Sequence, residues 1–164
     1  MVSNHDLLAD AARRFGVPFH HLPVDDNSTA HEDALAEIVE TTAPELIVLA
    51  RYMRILSPAL TERIGQRTIN IHHSFLPAFA GANPYRQAWE RGVKLIGATA
   101  HYVTADLDEG PIIAQDVTPV AHGDDPATLA RRGRDLESLV LAVAVRAHLE
   151  HRVVRYAGRT VVFE

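Results

Sequence analysis

The sequence predicts an α/β fold: a doubly wound, mostly parallel sheet with flanking helices, closed by a C-terminal hairpin. Three observations carry this. Glu45 to Ala50 (E-L-I-V-L-A) is a short, continuous apolar run of the kind found in strands buried on both faces of a parallel sheet. Such runs alternate along the chain with segments of helical period, the pattern of a doubly wound domain whose sheet begins parallel. The stretch from Asp125 to about His151 carries Leu136, Leu139, Val140, Val143, Ala144 and Ala147, an apolar stripe suited to dock on a sheet.

Each element has its own justification. Ser3-Asn4 resembles an N-cap, and Leu7, Leu8, Ala11, Ala12 and Phe15 recur at helical spacing until Gly16. The chain is thus expected to open on a helix with no preceding strand. V-P-F-H-H-L-P-V predicts a strand of about five residues around Phe19 to Leu22, bounded by prolines, and D-D-N-S-T a polar loop. His31 to Thr42 has Leu35, Ile38 and Val39 at helical spacing, with Pro44 beyond its end. R-Y-M-R-I-L is a loop, and Ser57-Pro58 opens a short helix through Ile64. Thr68 to His72, Lys94 to Thr104 and Pro111 to Val120 are strands. Pro84 to Arg91 is a helix ending at Gly92, and the tail turns at Ala157-Gly158.

Composition narrows the function. With 164 residues the chain suits a single domain with a real core. A net charge of −5 gives no basic footprint, which argues against nucleic acid as partner. No stretch reaches the ~18–20 consecutive apolar residues that span a bilayer, and no basic-then-apolar signal follows Met1. No membrane partner and a cytoplasmic setting are expected. The absence of cysteine removes disulfides, thiolate nucleophiles and zinc–thiolate sites together. Ten histidines prompt a metal test. In His20-His21 and His72-His73, adjacent strand residues should face opposite ways. No H-E-x-x-H spacing occurs, so no metal is expected.

Chemistry-bearing side chains collect between Thr68 and Ala114: Asn70, His72, His73, Ser74, Asp106, Asp108 and Glu109, at strand ends and in loops. Ligands of α/β sheets bind beyond the carboxyl ends of strands. Asn70 and His72 share one strand face. An asparagine amide can stabilise an oxyanion, and a histidine can shuttle a proton. Asp108, ahead of Gly110-Pro111, is a carboxylate on a constrained loop that could orient the histidine or a water. These are the parts for attack on a small carbonyl without a covalent nucleophile. Ser74 lacks a G-x-S-x-G elbow. Taken singly, each residue also has an ordinary turn, edge or core role, and His73, expected to face away from His72, is assigned a structural one.

The segments N-I-H-H-S-F-L-P-A-F-A-G-A-N-P-Y and G-A-T-A-H-Y-V-T-A-D-L-D-E-G-P-I-I-A-Q resemble the formyltetrahydrofolate-dependent formyltransferase fold family. The doubled histidine, P-Y-R-Q-A, G-R-D-L-E and the S-N-H-D-x-L opening are similar to its deformylase branch, whose members hydrolyse 10-formyltetrahydrofolate to tetrahydrofolate and formate. The resemblance runs from Ser3 to Phe163. It implies that Asn70 polarises the formyl carbonyl, His72 handles the proton, and Asp108 holds the attacking water and tunes His72. It implies a folate pocket lined by Met53, Arg54, Ile55 and Leu56, with backbone groups of Val103, Thr104, Ala105, Asp106 and Leu107 on the other side. The folate is substrate, so no cofactor is implied; by residue type alone, Met53 to Leu56 would be core.

Members of that branch carry an N-terminal ACT domain and a first strand with a glycine-bearing loop, which this sequence does not show. The expected consequence is an unpaired sheet edge that favours a homo-oligomer. Asn83 stands where a basic residue would be expected. Two other readings compete: a glycinamide ribonucleotide formyltransferase, against which the H-H-S-F segment argues, and an inactive folate-binding or assembly fragment. Methionyl-tRNA formylation is disfavoured, because its relatives have a basic loop and an added C-terminal domain.

Overall fold

The computed structural model describes residues 1–24, 28–77 and 83–164. Residues 25–27, within the expected polar loop, and residues 78–82, within the quoted motif, lie outside that set. The chain forms two compact units, Met1–Glu45 and Leu46–Glu164.

In the first unit, β1 (Val2–Ser3) pairs in parallel with β2 (His20–His21). The expectation of a helical start is therefore corrected: a strand comes first. Its pairing is made by backbone groups, with His20 N–H donating to Met1 O at 2.8 Å and Leu22 N–H to Ser3 O at 2.9 Å. So short a strand shows no side-chain alternation. β2 is shorter than expected, since Pro18 and Pro23 have no N–H to extend the ladder. Ser3 Oγ accepts the His5 N–H at 3.1 Å, and a 3-10 turn over Asp6–Leu8 leads into α1 (Ala9–Arg14). Then α2 (Ser28–Thr42) buries Ala36 and Val39, one turn apart on the same face.

The second unit holds a four-stranded sheet in the order β3 (Ile47–Leu49), β4 (Thr68–His72), β5 (Leu95–Tyr102), β6 (Ile112–Pro119). β3 and β4 are parallel, while β4/β5 and β5/β6 are antiparallel. Parallel pairing thus occupies the start of the chain, and antiparallel pairing follows. The link 103–111 between β5 and β6 is shorter than the dozen or so residues a parallel crossover requires. Helix α3 (Pro58–Ile64) starts at Ser57, whose Oγ accepts the Leu60 N–H at 3.3 Å. Helix α4 (Pro84–Glu90) runs to a turn ending at Gly92, with φ +62°.

α5 (Pro126–Leu149) begins where Asp125 Oδ1 accepts the Thr128 N–H at 2.7 Å. It packs Leu136, Val140 and Ala144 against Ile69, Ile71, Ala98, Ala100 and Tyr102. The apolar stripe is narrower than the sequence suggests: Leu139 and Val143 are 56% and 50% exposed. At about 100° per residue they fall outside the seam that touches the sheet. The hairpin of β7 (Val153–Tyr156) and β8 (Arg159–Val162) turns at Ala157-Gly158, with φ +48° and +74°, as a two-residue turn of this hand requires.

One close approach ties α4 to α5. Tyr85 lies over Gly133, and its hydroxyl donates to Glu137. A Cβ at Gly133 would meet the tyrosine ring at 2.2 Å. Gly133→Ala is therefore expected to lose about 1–3 kcal/mol by overpacking, read as a lower urea midpoint at unchanged slope.

Candidate active site

Strand pairing assembles the site. In antiparallel pairs directly opposed residues share a face, and the register sets Asn70 opposite His101 and His72 opposite Thr99. These four therefore look away from Ile69, Ile71, Ala98, Ala100 and Tyr102, the face that α5 covers. Thr99 fixes the segment after β4. Its hydroxyl donates to Ser74 O at 2.8 Å and accepts from Leu76 N–H at 3.1 Å and Gln115 Nε2 at 2.9 Å. A register shift on the β6 side falls between Ala100 and His101, a placement common beside functional sites.

His72 and Asp108 meet. Asp108 Oδ2 is 3.3 Å from His72 Nδ1, with side-chain exposures of 7% for the histidine and 18% for the aspartate. Asp108 holds a left-handed backbone, φ +58°, an uncommon conformation for a residue with a side chain. Two residues on, Gly110 lies so close to Tyr102 that a Cβ there would come within 1.7 Å of its carbonyl oxygen. Glycine is required by that approach, which presses the loop carrying Asp108 onto β5.

Asn70 joins through His101. His101 Nδ1 is 2.9 Å from the Tyr102 carbonyl, which only accepts, so Nδ1 carries a proton. In the neutral ring Nε2 then accepts from Asn70 Nδ2 at 3.3 Å, which orients the amide and leaves Asn70 a second N–H. The same Nε2 lies 3.6 Å from Asp108 Oδ1. Asp108 thus stands between two histidines. The sequence reading did not single out His101. The signal was the polar alternation of Thr99 and His101 with Ala98 and Ala100, but their relation to Asn70 depends on strand register.

Burial is the largest influence on His72 and pushes its pKa below the ordinary 6.5; Asp108 opposes this, while His73 and His101 add to it. Proximity to Asp108 would by itself favour the cation, but burial prevails and the neutral ring is favoured. Its Nε2 is buried and makes no hydrogen bond among the described residues. The resting pair is a neutral imidazole beside a carboxylate ready to stabilise the imidazolium, the arrangement a general base needs.

His73 departs from expectation. Its ring stacks on that of His72, centroids 4.8 Å apart and planes 19° from parallel. The alternation rule fails because β4 ends at His72 and His73 is already in the following bend.

The other expected residues are placed as follows. Leu56 is buried, while Met53 and Ile55 on the loop after β3, and Leu107 on the loop after β5, are well exposed. Thr104, Ala105 and Asp106 are exposed too, with Arg54 and Val103 intermediate. Val103 N–H donates to Thr68 O of β4 at 3.0 Å, and Thr104 Oγ1 to Asp106 O at 3.1 Å, so the second loop is tied to β4 at its start and braced within itself. Asn83 has φ +55° and precedes Pro84 at the start of α4. Among the described residues, no group of three His, Asp or Glu side chains is placed to hold a metal ion.

Comparison with known proteins fits this geometry. The family model described as Formyl transferase matches residues 1–145. A formyltetrahydrofolate deformylase of Synechocystis is 54% identical over 99% of this chain, and one of Bacillus subtilis 51%. The chain spans 57% and 55% of those two proteins, a little over half their length. The crystal structure of a formyltetrahydrofolate deformylase from Pseudomonas syringae superimposes with a TM-score of 0.96 at 49% identity, covering 99% of this chain and 55% of that one. A glycinamide ribonucleotide transformylase from Symbiobacterium toebii gives 0.91 at 38% identity, covering 99% of this chain and 79% of that one. The chain belongs to the formyl transferase family.

Proposed function

We propose that this chain hydrolyses 10-formyltetrahydrofolate to tetrahydrofolate and formate, supplying formate to one-carbon and purine metabolism. One observation carries the reading. A buried, neutral His72 is paired with Asp108 beside an amide held by His101, in a chain about half identical to proteins named formyltetrahydrofolate deformylase.

Water attacks the formyl carbon as His72 takes its proton, and Asp108 stabilises the resulting imidazolium. Asn70 donates its remaining N–H to the oxyanion of the tetrahedral intermediate. The intermediate collapses, the carbon–nitrogen bond breaks, and His72 returns the proton to the departing folate nitrogen. The acid formed gives up its remaining proton to solvent, and formate and tetrahydrofolate leave with no net proton change on the protein and no cofactor. Met53, Arg54, Ile55 and Leu56, with the backbone of Val103 to Leu107, hold the pterin, their exposed apolar side chains being covered by the ligand. A cytoplasmic setting suits a folate substrate; among the described residues no helix is long and apolar enough to cross a membrane.

The 38% identity to a protein named glycinamide ribonucleotide transformylase supports a second reading, with an amine as acceptor. The deciding assay follows formate from 10-formyltetrahydrofolate with and without glycinamide ribonucleotide. Acceptor-independent release is expected; strict dependence on the acceptor would favour the second reading.

The pH profile follows from His72. Its folded pKa lies below 6.5, so the active neutral form persists through neutrality and is lost as pH falls through that lowered value. The acid limb of kcat/KM is expected below pH 6.5; a limb well above it would contradict a buried, neutral base.

A further inference from the structure

His73 is absent from the mechanism above, yet it occupies a defined place. On one side its ring stacks on His72. On the other it approaches Tyr85, centroids 6.3 Å apart and planes at 48°. Tyr85 is fixed twice, by its hydroxyl on Glu137 and by its ring against Gly133. Burial, then the Glu137 bond, raise its pKa far enough to keep the phenol protonated throughout the working range. A continuous brace therefore runs from α5 through Tyr85 and His73 to the ring that faces Asp108. His73 and Tyr85 also line an apolar cavity of about 370 Å³ with Phe75, Leu95, Gly97 and Val117.

We propose that His73 is a positioning residue for the hydrolysis: its ring, backed by Tyr85, holds the plane of His72 toward Asp108 and keeps water off it. This rests on the hydrolytic reading of the site. The doubled histidine is thus one working histidine and one wall. A flat ring at van der Waals contact restricts rotation of His72, and a misplacement of about 1 Å in a catalytic group can cost ~10²-fold in rate. Removing the wall joins the cavity to His72 and weakens the desolvation that keeps it neutral. The charged or titratable groups around His72 are Asp108, His101 and His73, and those around Tyr85 are Glu137, Arg134 and Arg51. None of the others changes when His73 is replaced.

The test compares His73→Ala with His73→Phe, the second keeping a flat ring without a titratable nitrogen. His73→Ala is expected to lower kcat by about 10–100-fold with KM for the folate little changed, and to move the acid limb upward. His73→Phe is expected to return kcat to within about threefold of the parent, with the limb raised less than in His73→Ala, because burial is restored while the repulsion from a charged His73 is not. Imidazole NMR of His72 reads the same shift without turnover, upward in His73→Ala and upward by less in His73→Phe. Parent-like kinetics and titration in His73→Ala would overturn the proposal, as would a His73→Phe variant as impaired as His73→Ala. A parent protein that releases no formate would refute the hydrolytic reading instead, and the NMR titration would still decide the role of His73.

Discussion

His72→Ala is expected to lower formate release by about 10³-fold or more, while folate binding measured by calorimetry stays within a few-fold. A positioned general acid or base contributes roughly 10²–10⁴-fold, and His72 is proposed to serve in both steps, so the upper part of that range applies. Binding should survive because the proposed pterin contacts lie on other segments, 53–56 and 103–107. Asp108→Asn keeps the shape but removes the charge 3.3 Å from Nδ1. It is expected to cost about 10²-fold or more, since the imidazolium formed in a buried place loses its counter-charge. An alanine variant at 72 with near-parental turnover would remove the proposed mechanism.

Gly110→Ala is expected to be nearly as damaging without touching a reacting group. The added carbon would lie 1.7 Å from Tyr102 O and 3.2 Å from His101 Nδ1. Both belong to β5, the centre of the site's hydrogen bonding, so the loop has to retreat. Asp108 sits two residues upstream in a left-handed conformation and moves with it. A displacement near 1 Å is enough for a loss of ~10²-fold in kcat, accompanied by about 1–3 kcal/mol of overpacking. Gly123→Ala is the control. An added carbon there meets nothing within 4 Å and the backbone needs no positive φ, so parental activity is expected. Equal activity in the two variants would mean that the approach of Gly110 to Tyr102 does not hold the carboxylate in place.

What the sequence discloses depends on whether a feature is local. β4 was expected at Thr68 to His72 and lies there, because Ile69 and Ile71 alternate cleanly with Asn70 and His72. The hairpin turn at Ala157-Gly158 and the Asp125 cap are equally local. Features set by pairing were hidden. β1 has too few residues to display a period, and the part of His101 depends on standing opposite Asn70 across a register that the residues do not announce. The same limit explains His73. Alternation predicts it away from His72 only while the strand continues, and the strand stops one residue earlier. The antiparallel turn of the sheet at β5 was concealed by apolar runs that suit either direction. The segments proposed to hold the pterin carry no local signature: by residue type Met53 and Leu56 suit a core equally well, and only resemblance to a family marks them as a pocket.

The proposed hydrolysis makes water the acceptor of the formyl group at His72 and Asp108. Its most direct measurement is hydrolysis of 10-formyltetrahydrofolate by the purified chain in ¹⁸O-labelled water without any amine, with the formate analysed by mass spectrometry. The prediction is formate carrying one solvent oxygen, formed in step with tetrahydrofolate and lost in His72→Ala. Formyl transfer seen only when an amine acceptor is supplied, or labelled formate produced equally by His72→Ala, would contradict it.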